Sequence, residues 1–192
     1  MLLFEKPGPQ NTAQAVVTAV EHAKAQNVPI VCASTHGDTA LAVISAAKAV
    51  QFAQPIVVVR TVSGFSHPGA NRMEDAVAQK IRENAVLITA AHTLSGAERG
   101  LSRKFQGVYP VEIIADTLRM LGQGTKVCVE CAIMALDAGE IPFGTPVVSM
   151  GGTGRGADTV LSVTPGYAST ILGTKIHAIY CKPALRQREE KS

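Results

Sequence analysis

Short runs of β-branched residues alternate with helical patterns along the chain. The apolar runs lie at residues 29–33, 55–60, 85–89 and 147–150. Between them, apolar residues recur every three or four positions, as in residues 11–27, where Val16 and Val20 share one helix face. Strands of a parallel sheet are buried on both faces and give such unbroken apolar runs. The pattern predicts strand–helix units with right-handed crossovers and a mostly parallel sheet.

The remaining elements complete a three-layer α/β/α architecture. Further helices are predicted at about residues 40–50, 71–84, 110–121 and 125–138. Two helix starts resemble capping boxes, Asn11 with Gln14 and Asn71 with Glu74. Two late strands, 158–163 and 175–181, have no long helix between them and are expected as an antiparallel addition at one edge. We expect about six strands, with helices on both faces.

Composition supports one α/β domain. The chain is 46% hydrophobic but only 4% aromatic, so its core is built from small aliphatic side chains. No linker divides it, which predicts a single domain over residues 1–185 and a charged, disordered tail over 186–192. Four irregularly spaced cysteines indicate reduced thiols and a cytoplasmic protein.

Several classes of partner are disfavoured. The net charge is only +3, and no basic face alternates with aromatic residues, so nucleic-acid binding is not expected. No apolar run reaches membrane-spanning length. The start, MLLFEKPG, is too short and too acidic for a signal peptide.

Four polar, glycine-rich segments follow predicted strands. They are residues 34–39, 61–70, 92–104 and 151–158. The second of them contains Ser63 and Gly64. Parallel sheets bind ligands at the carboxyl ends of their strands. The four segments therefore predict one binding site at a common sheet edge.

The first segment predicts a phosphate site. Its residues are Ser34, Thr35, His36, Gly37, Asp38 and Thr39. Hydroxyl residues and a glycine at a helix N-terminus offer free N–H groups and the positive end of the helix dipole. On this basis Gly37→Asp is expected to lose phosphate binding and stay folded.

The last segment is a glycine loop made of Gly151, Gly152, Thr153, Gly154, Arg155 and Gly156. It formally fits a dinucleotide fingerprint, but the residues after it are typical of a strand, whereas that fingerprint requires a helix. An anion-holding turn that uses its N–H groups and Arg155, and a mobile hairpin-like connection, both stay open.

Residues 92–104 supply further candidates. On a helix, Arg99 and Arg103 would share a face and could clamp a phosphate together with Ser95. The alternatives are a solvated basic face or an oligomer contact. His92 follows a strand end, where an acid or base could act, although a lone histidine is more often structural.

One helix contains an isolated carboxylate among apolar residues. Glu130 needs a partner there, for which Arg155, Arg103 or a ligand hydroxyl are candidates. Cys128 and Cys131 are interpreted as small core residues, because the helix lacks the surroundings of a redox pair. No metal site is predicted.

The segment VCASTHGDTA at 31–40 resembles the effector-phosphate loop in the C-terminal domain of pyruvate kinases. Ser34, Gly37, Thr39 and Ala40 match, whereas the basic residue often found before the glycine is absent. More of the chain resembles the stand-alone pyruvate kinase C-terminal-domain-like family. The matching segments are FEKPG at 4–8, NT at 11–12, LSGAER at 94–99, SRK at 102–104, KVCVE at 126–130 and GADT at 156–159.

The resemblance implies a three-layer α/β/α fold with a mixed sheet. It implies no pyruvate kinase activity, because the catalytic residues of that enzyme lie in a separate barrel domain of roughly 250 residues. It also makes FMN a reasonable ligand, since the phosphate of FMN would suit the loop at 34–39.

Three functions stay open. The protein binds FMN or another small phosphorylated molecule, or it is an enzyme on that ligand with His92, Glu130 or Asp158 as acid–base groups. The third possibility is an oligomeric scaffold whose basic loop contacts a partner. A homo-oligomer is expected in any case.

Overall fold

The computed structural model describes residues 1–62 and 71–185. Ser63, Gly64 and the predicted tail at 186–192 lie outside the described residues. Within the described part, the strands are β1 (Leu2–Phe4), β2 (Ile30–Ala33), β3 (Ile56–Arg60), β4 (Val86–Thr89), β5 (Val147–Gly151), β6 (Thr159–Thr164) and β7 (Lys175–Pro183). The α-helices are α1 (Thr12–Gln26), α2 (Asp38–Ala49), α3 (Asp75–Arg82), α4 (Gly96–Phe105), α5 (Pro110–Arg119) and α6 (Gln123–Asp137).

All seven strands form one mixed sheet in the order β1-β7-β6-β5-β2-β3-β4. Strand β6 runs antiparallel to both of its neighbours, and the other pairings are parallel. The predicted fold class is confirmed, including the antiparallel pairings of the late strands on one side. Strand β1 was not predicted; it pairs with β7 and forms the outer edge there.

Helices cover both faces because side chains alternate along each strand. Ile30 and Cys32 pack with α1, α2 and α3 on one face. Val31, between them, packs with α6 on the other face. The chain builds outward from β2 to β3 and β4, and then returns to place β5 on the opposite side of β2. Open α/β sheets bind ligands outside the carboxyl ends of the strands at such a reversal.

Both predicted capping boxes are wrong. No side-chain cap forms at the start of α1, and the Asn11 side-chain NH2 group donates to the Lys6 carbonyl at 2.7 Å. Helix α3 begins at Asp75 and not at residue 71. The Asn71 side-chain oxygen accepts the Met73 N–H at 3.2 Å, which is a local turn. Nearby backbone groups thus use both amides before the helices begin.

Candidate functional site

A cleft of about 430 Å³ opens at the carboxyl ends of β2, β3 and β5, next to the point where the strand order reverses. Its size falls within the range of small-molecule sites. The strand ends, the loops after them and the start of α2 contribute Ala33, Ser34, Thr35, His36, Asp38, Thr39, Val59, Arg60, Thr61, His92, Gly152, Gly154, Arg155 and Gly156. Helix α6 and the N-terminal segment add Gln123, Val127, Glu130, Cys131, Met134, Pro9 and Thr12. Residues from all four predicted segments therefore line one cavity.

The loop before α2 presents the start of that helix to the cleft. Ser34 Oγ accepts the Ala40 N–H at 3.3 Å, which satisfies one donor of the first turn. Within the described residues, the N–H groups of Asp38 and Thr39 have no hydrogen-bond acceptor. These donors and the helix dipole give this end of the cleft a positive potential.

Gly37 is required by the turn into α2. Its φ is +105°, a left-handed value, and an added Cβ would lie 2.3 Å from Val77 Cγ1 on α3. Any side chain at this position strains the backbone and pushes α3 away. Gly37→Asp therefore strains the turn and its contact with α3 as well as the loop, so a loss of phosphate binding in that variant would not by itself identify the phosphate site.

The glycine loop connects two antiparallel strands, β5 and β6, so the strand predicted after it is confirmed and a dinucleotide-binding turn is not formed. Gly152 approaches Gly156 so closely that a Cβ would lie 2.4 Å from the Gly156 carbonyl oxygen. Asp158 holds the loop, because its Oδ2 accepts the N–H groups of Thr153 at 3.2 Å and of Gly8 at 3.1 Å.

An exposed ion pair joins the glycine loop to the start of α2. Arg155 Nη2 lies 3.2 Å from Asp38 Oδ2, and both side chains are about 70% exposed, at 72% and 70%. Such a pair adds little stability. Because Arg155 lines the cleft, its guanidinium can exchange the Asp38 carboxylate for an anion inside the cleft.

A buried ion pair lies at the α6 side of the cleft. Lys126 Nζ donates to Glu130 Oε2 at 2.5 Å, and the two side chains are only 4% and 1% exposed. His92 Nδ1 lies 3.1 Å from the same oxygen, and the Leu94 N–H donates to Oε1 at 2.9 Å. The partners expected from sequence, Arg155 and Arg103, are wrong; Lys126, one helical turn earlier, takes that place.

These contacts set the charge of Glu130. Burial alone raises the pKa of this carboxyl, but the hydrogen bond with His92 and the charge of Lys126 outweigh it, so that the pKa lies below its ordinary value. Glu130 is therefore ionised at neutral pH and orients the His92 ring at the cleft wall.

Other predicted site residues do not line the cleft. Ser95 and Arg103 lie on or beside α4, and Arg99 Nε faces Glu112 Oε1 on α5 at 3.8 Å, which favours the solvated-face alternative for that helix. Gly37, Gly151 and Thr153 belong to the cleft loops without lining the cavity. Asp158 is buried, and its oxygens accept bonds from backbone N–H groups and from the Thr159 hydroxyl, so it has a loop-holding position.

Some cleft residues were missed from sequence. Arg60 ends β3 and lines the cleft, with its Nε donating to Thr89 Oγ1 at 2.8 Å. Its place after the run PIVVV was a usable signal, because it comes at a strand end. Thr12 and Gln123 belong to helix starts that only the tertiary fold brings to the cleft.

The cysteines are core residues, as predicted. All four are free and buried. Burial raises the pKa of Cys32 to about 12 and that of Cys131 well above its usual range. Among residues 1–62 and 71–185, no cluster of three side chains suited to a metal ion occurs. In the same ranges, no helix combines the length and apolar character needed to cross a membrane.

Comparison with known families agrees with this architecture. Residues 10–162 match the family model described as "Pyruvate kinase, alpha/beta domain". The match covers most of the 192 residues, and the chain therefore belongs to the pyruvate kinase alpha/beta domain family.

Proposed function

We propose that the cleft binds a small phosphorylated molecule, FMN or a phosphorylated metabolite, with its phosphate at the loop of residues 34–39. The observation that carries the proposal is the start of α2 in the cleft wall, with the N–H groups of Asp38 and Thr39 unpaired within the described residues. A phosphate dianion accepts several such bonds and interacts favourably with the helix dipole.

Charge around the cleft supports the same end for the phosphate. Arg60 and Arg155 line the cavity near the strand ends, whereas the Lys126 charge is already neutralised by Glu130. Asp38 is the carboxylate at the mouth, and its partner Arg155 offsets it. A monoanionic or dianionic group is therefore favoured at the loop end over the α6 end.

Thr39→Val tests the phosphate position by removing one hydroxyl while keeping the side-chain shape. A hydrogen bond to a charged group contributes about 1.5–3 kcal/mol, so the Kd for inorganic phosphate in calorimetry should rise roughly ten- to hundredfold. The matched control is Thr117→Val on α5, whose hydroxyl donates to the Ile113 carbonyl away from the cleft. Equal affinities for phosphate in both variants would contradict the proposal.

FMN and riboflavin test the ligand more specifically, because they differ only in the phosphate. Fluorescence titration should show FMN binding at least tenfold more tightly than riboflavin if the phosphate is anchored at residues 34–39. Similar affinities would place the binding energy elsewhere and remove the basis for a phosphate subsite.

The enzyme alternative has one observation in its favour. His92 lines the cleft while Glu130, itself fixed by Lys126, orients its ring, which is how a general base is held. Under this alternative, a screen of phosphorylated metabolites finds turnover that His92→Ala or Glu130→Gln removes. Binding without conversion of any compound favours the first proposal.

Two predictions from sequence stay predictions. Four free thiols suit a reducing compartment, and we propose the cytoplasm on that ground. The expected homo-oligomer is tested by light scattering over a range of concentrations, with an Arg99→Gln/Arg103→Gln variant reporting on the basic helix.

A further inference from the structure

We propose that His92 forms a second subsite of the cleft, which accepts a hydrogen bond from a hydroxyl or ring N–H of the phosphorylated ligand. The inference rests on the proposed function, because it takes the phosphate to lie at residues 34–39. It assigns the chemistry of the remainder of the ligand, which the phosphate loop alone does not define.

The Glu130 carboxyl is held in its ionised form by its neighbours. Its two oxygens accept the Leu94 N–H and the Lys126 ammonium, at 2.9 and 2.5 Å, in a nearly water-free setting. With an ammonium at that distance the carboxyl is ionised. An ionised carboxylate only accepts hydrogen bonds. The contact of 3.1 Å between Glu130 Oε2 and His92 Nδ1 must therefore have its proton on Nδ1.

The other ring nitrogen of His92 is thereby an acceptor. A neutral imidazole has one N–H, so a proton fixed on Nδ1 leaves Nε2 as an acceptor. Among the described residues, Nε2 has no hydrogen-bond partner. The side chain is 42% exposed and belongs to the cleft wall. The pair Lys126–Glu130 thus fixes the orientation of the His92 ring, and Nε2 is the acceptor that the ring offers to the ligand.

This acceptor limits the class of ligand. A fixed acceptor favours a ligand with a hydroxyl or ring N–H at this position and disfavours one with a carbonyl or carboxylate there. Phosphorylated polyols supply hydroxyls, and a flavin nucleotide supplies both hydroxyls and a ring N–H. A plain alkyl phosphate supplies neither.

The experiment compares ribitol 5-phosphate with n-pentyl phosphate, which share a five-carbon chain and a phosphate but differ in the hydroxyls. Wild-type protein should bind ribitol 5-phosphate more tightly, and His92→Phe should reduce that preference roughly two- to tenfold, the worth of one net hydrogen bond. The affinity of His92→Phe for inorganic phosphate should equal that of the wild type. His92→Gln keeps one donor and one acceptor and should retain part of the preference.

The control is His22→Phe, on the exposed side of α1, where the ring stacks on Tyr180 outside the cleft. FMN distinguishes a hydroxyl donor from a ring N–H donor. If His92→Phe weakens the binding of FMN but not of ribitol 5-phosphate, the donor is the ring N–H. Equal weakening of all ligands in His92→Phe, inorganic phosphate included, means a structural role and overturns the subsite. No effect on any ligand overturns it too.

Failure of wild-type protein to bind any phosphate compound overturns the proposed function, and the subsite with it. Nitrogen-15 NMR of the imidazole gives an independent readout that needs no ligand. Neutral His92 should be protonated at Nδ1, and Glu130→Gln should shift the population toward the Nε2–H form. A wild-type His92 that carries a proton on Nε2 at neutral pH, either as the neutral Nε2–H form or as the imidazolium, contradicts the assignment.

Discussion

Lys126→Met is expected to destabilise the protein by about 3 kcal/mol at neutral pH. Removing one member of a buried ion pair costs about 3–5 kcal/mol, because the other charge stays buried and uncompensated. Both side chains here are at most 4% exposed, and their charged atoms lie 2.5 Å apart. Glu130 keeps two donors, Leu94 N–H and His92, so we take the lower end of that range.

The loss should depend on pH in a defined direction. In the wild type, the lowered pKa of Glu130 contributes stability above its unfolded pKa of about 4.3, and that stability disappears as pH falls through the folded value. Without Lys126, burial is less opposed and the folded pKa of Glu130 rises. The stability difference between wild type and variant is therefore largest near pH 7 and shrinks toward pH 4.

Urea unfolding followed by far-UV circular dichroism measures this difference at pH 7.5, 6 and 5. Lys126→Met/Glu130→Gln leaves no buried charge and should recover about half of the loss or more. Lys48→Met, at an exposed position on α2, is the matched control and should stay within about 0.5 kcal/mol of wild type. A loss below 1 kcal/mol for Lys126→Met, a loss that grows toward acid pH, or a double variant as unstable as the single one would refute the reasoning.

Three further outcomes are expected. Gly124→Ala should lower the free energy of unfolding by about 1–3 kcal/mol, because its Cβ would lie 2.0 Å from Thr159 Oγ1. The control Gly100→Ala meets nothing within 4 Å and should stabilise α4 slightly. Urea titration measures both free energies. Asp38→Asn should tighten inorganic phosphate about three- to eightfold, since a carboxylate roughly 7 Å from a phosphate monoanion or dianion repels it by about 0.6–1.2 kcal/mol in water; unchanged calorimetric affinity would contradict a phosphate at this helix start. The cysteines should resist a thiol-specific reagent in native protein and react in urea, because burial raises the pKa of Cys32 to about 12; rapid native labelling would contradict their burial.

The central strands of the sheet could be predicted because each is an unbroken apolar run, which is typical of a buried parallel strand. Strand β1 could not be, since Leu2 and Leu3 are exposed and three residues show no period. Its only signal is the pairing with β7, near the other end of the chain. Such long-range pairing leaves no local pattern.

Helix starts were predicted less well for a related reason. A capping box is identified from the spacing of two residue types, but the asparagine at each predicted start bonds a backbone group nearer in space. The competing partner is fixed by the turn, which spacing does not describe.

The candidate site was partly predictable. The rule of strand ends brought the four loops together on one cavity, and Arg60 satisfied the same rule unnoticed. Lys126 stands four residues before Glu130, which is a recognisable ion-pair spacing. Buried lysines are rare and the rest of α6 is apolar, so the burial of Lys126 could be inferred only once its partner was known. The spacing of basic residues alone could not show that Arg103 does not line the cavity.

The bond from Gly8 to Asp158 has a consequence for the order in which the molecule forms. It joins residues 150 positions apart, and the same carboxylate fixes the glycine loop. Strands β2, β3 and β4 come from neighbouring segments, whereas this side of the cleft also needs the N-terminal segment to contact the connection between β5 and β6. We therefore expect ligand binding to recover later than helix content during refolding, which parallel stopped-flow fluorescence and circular dichroism would test.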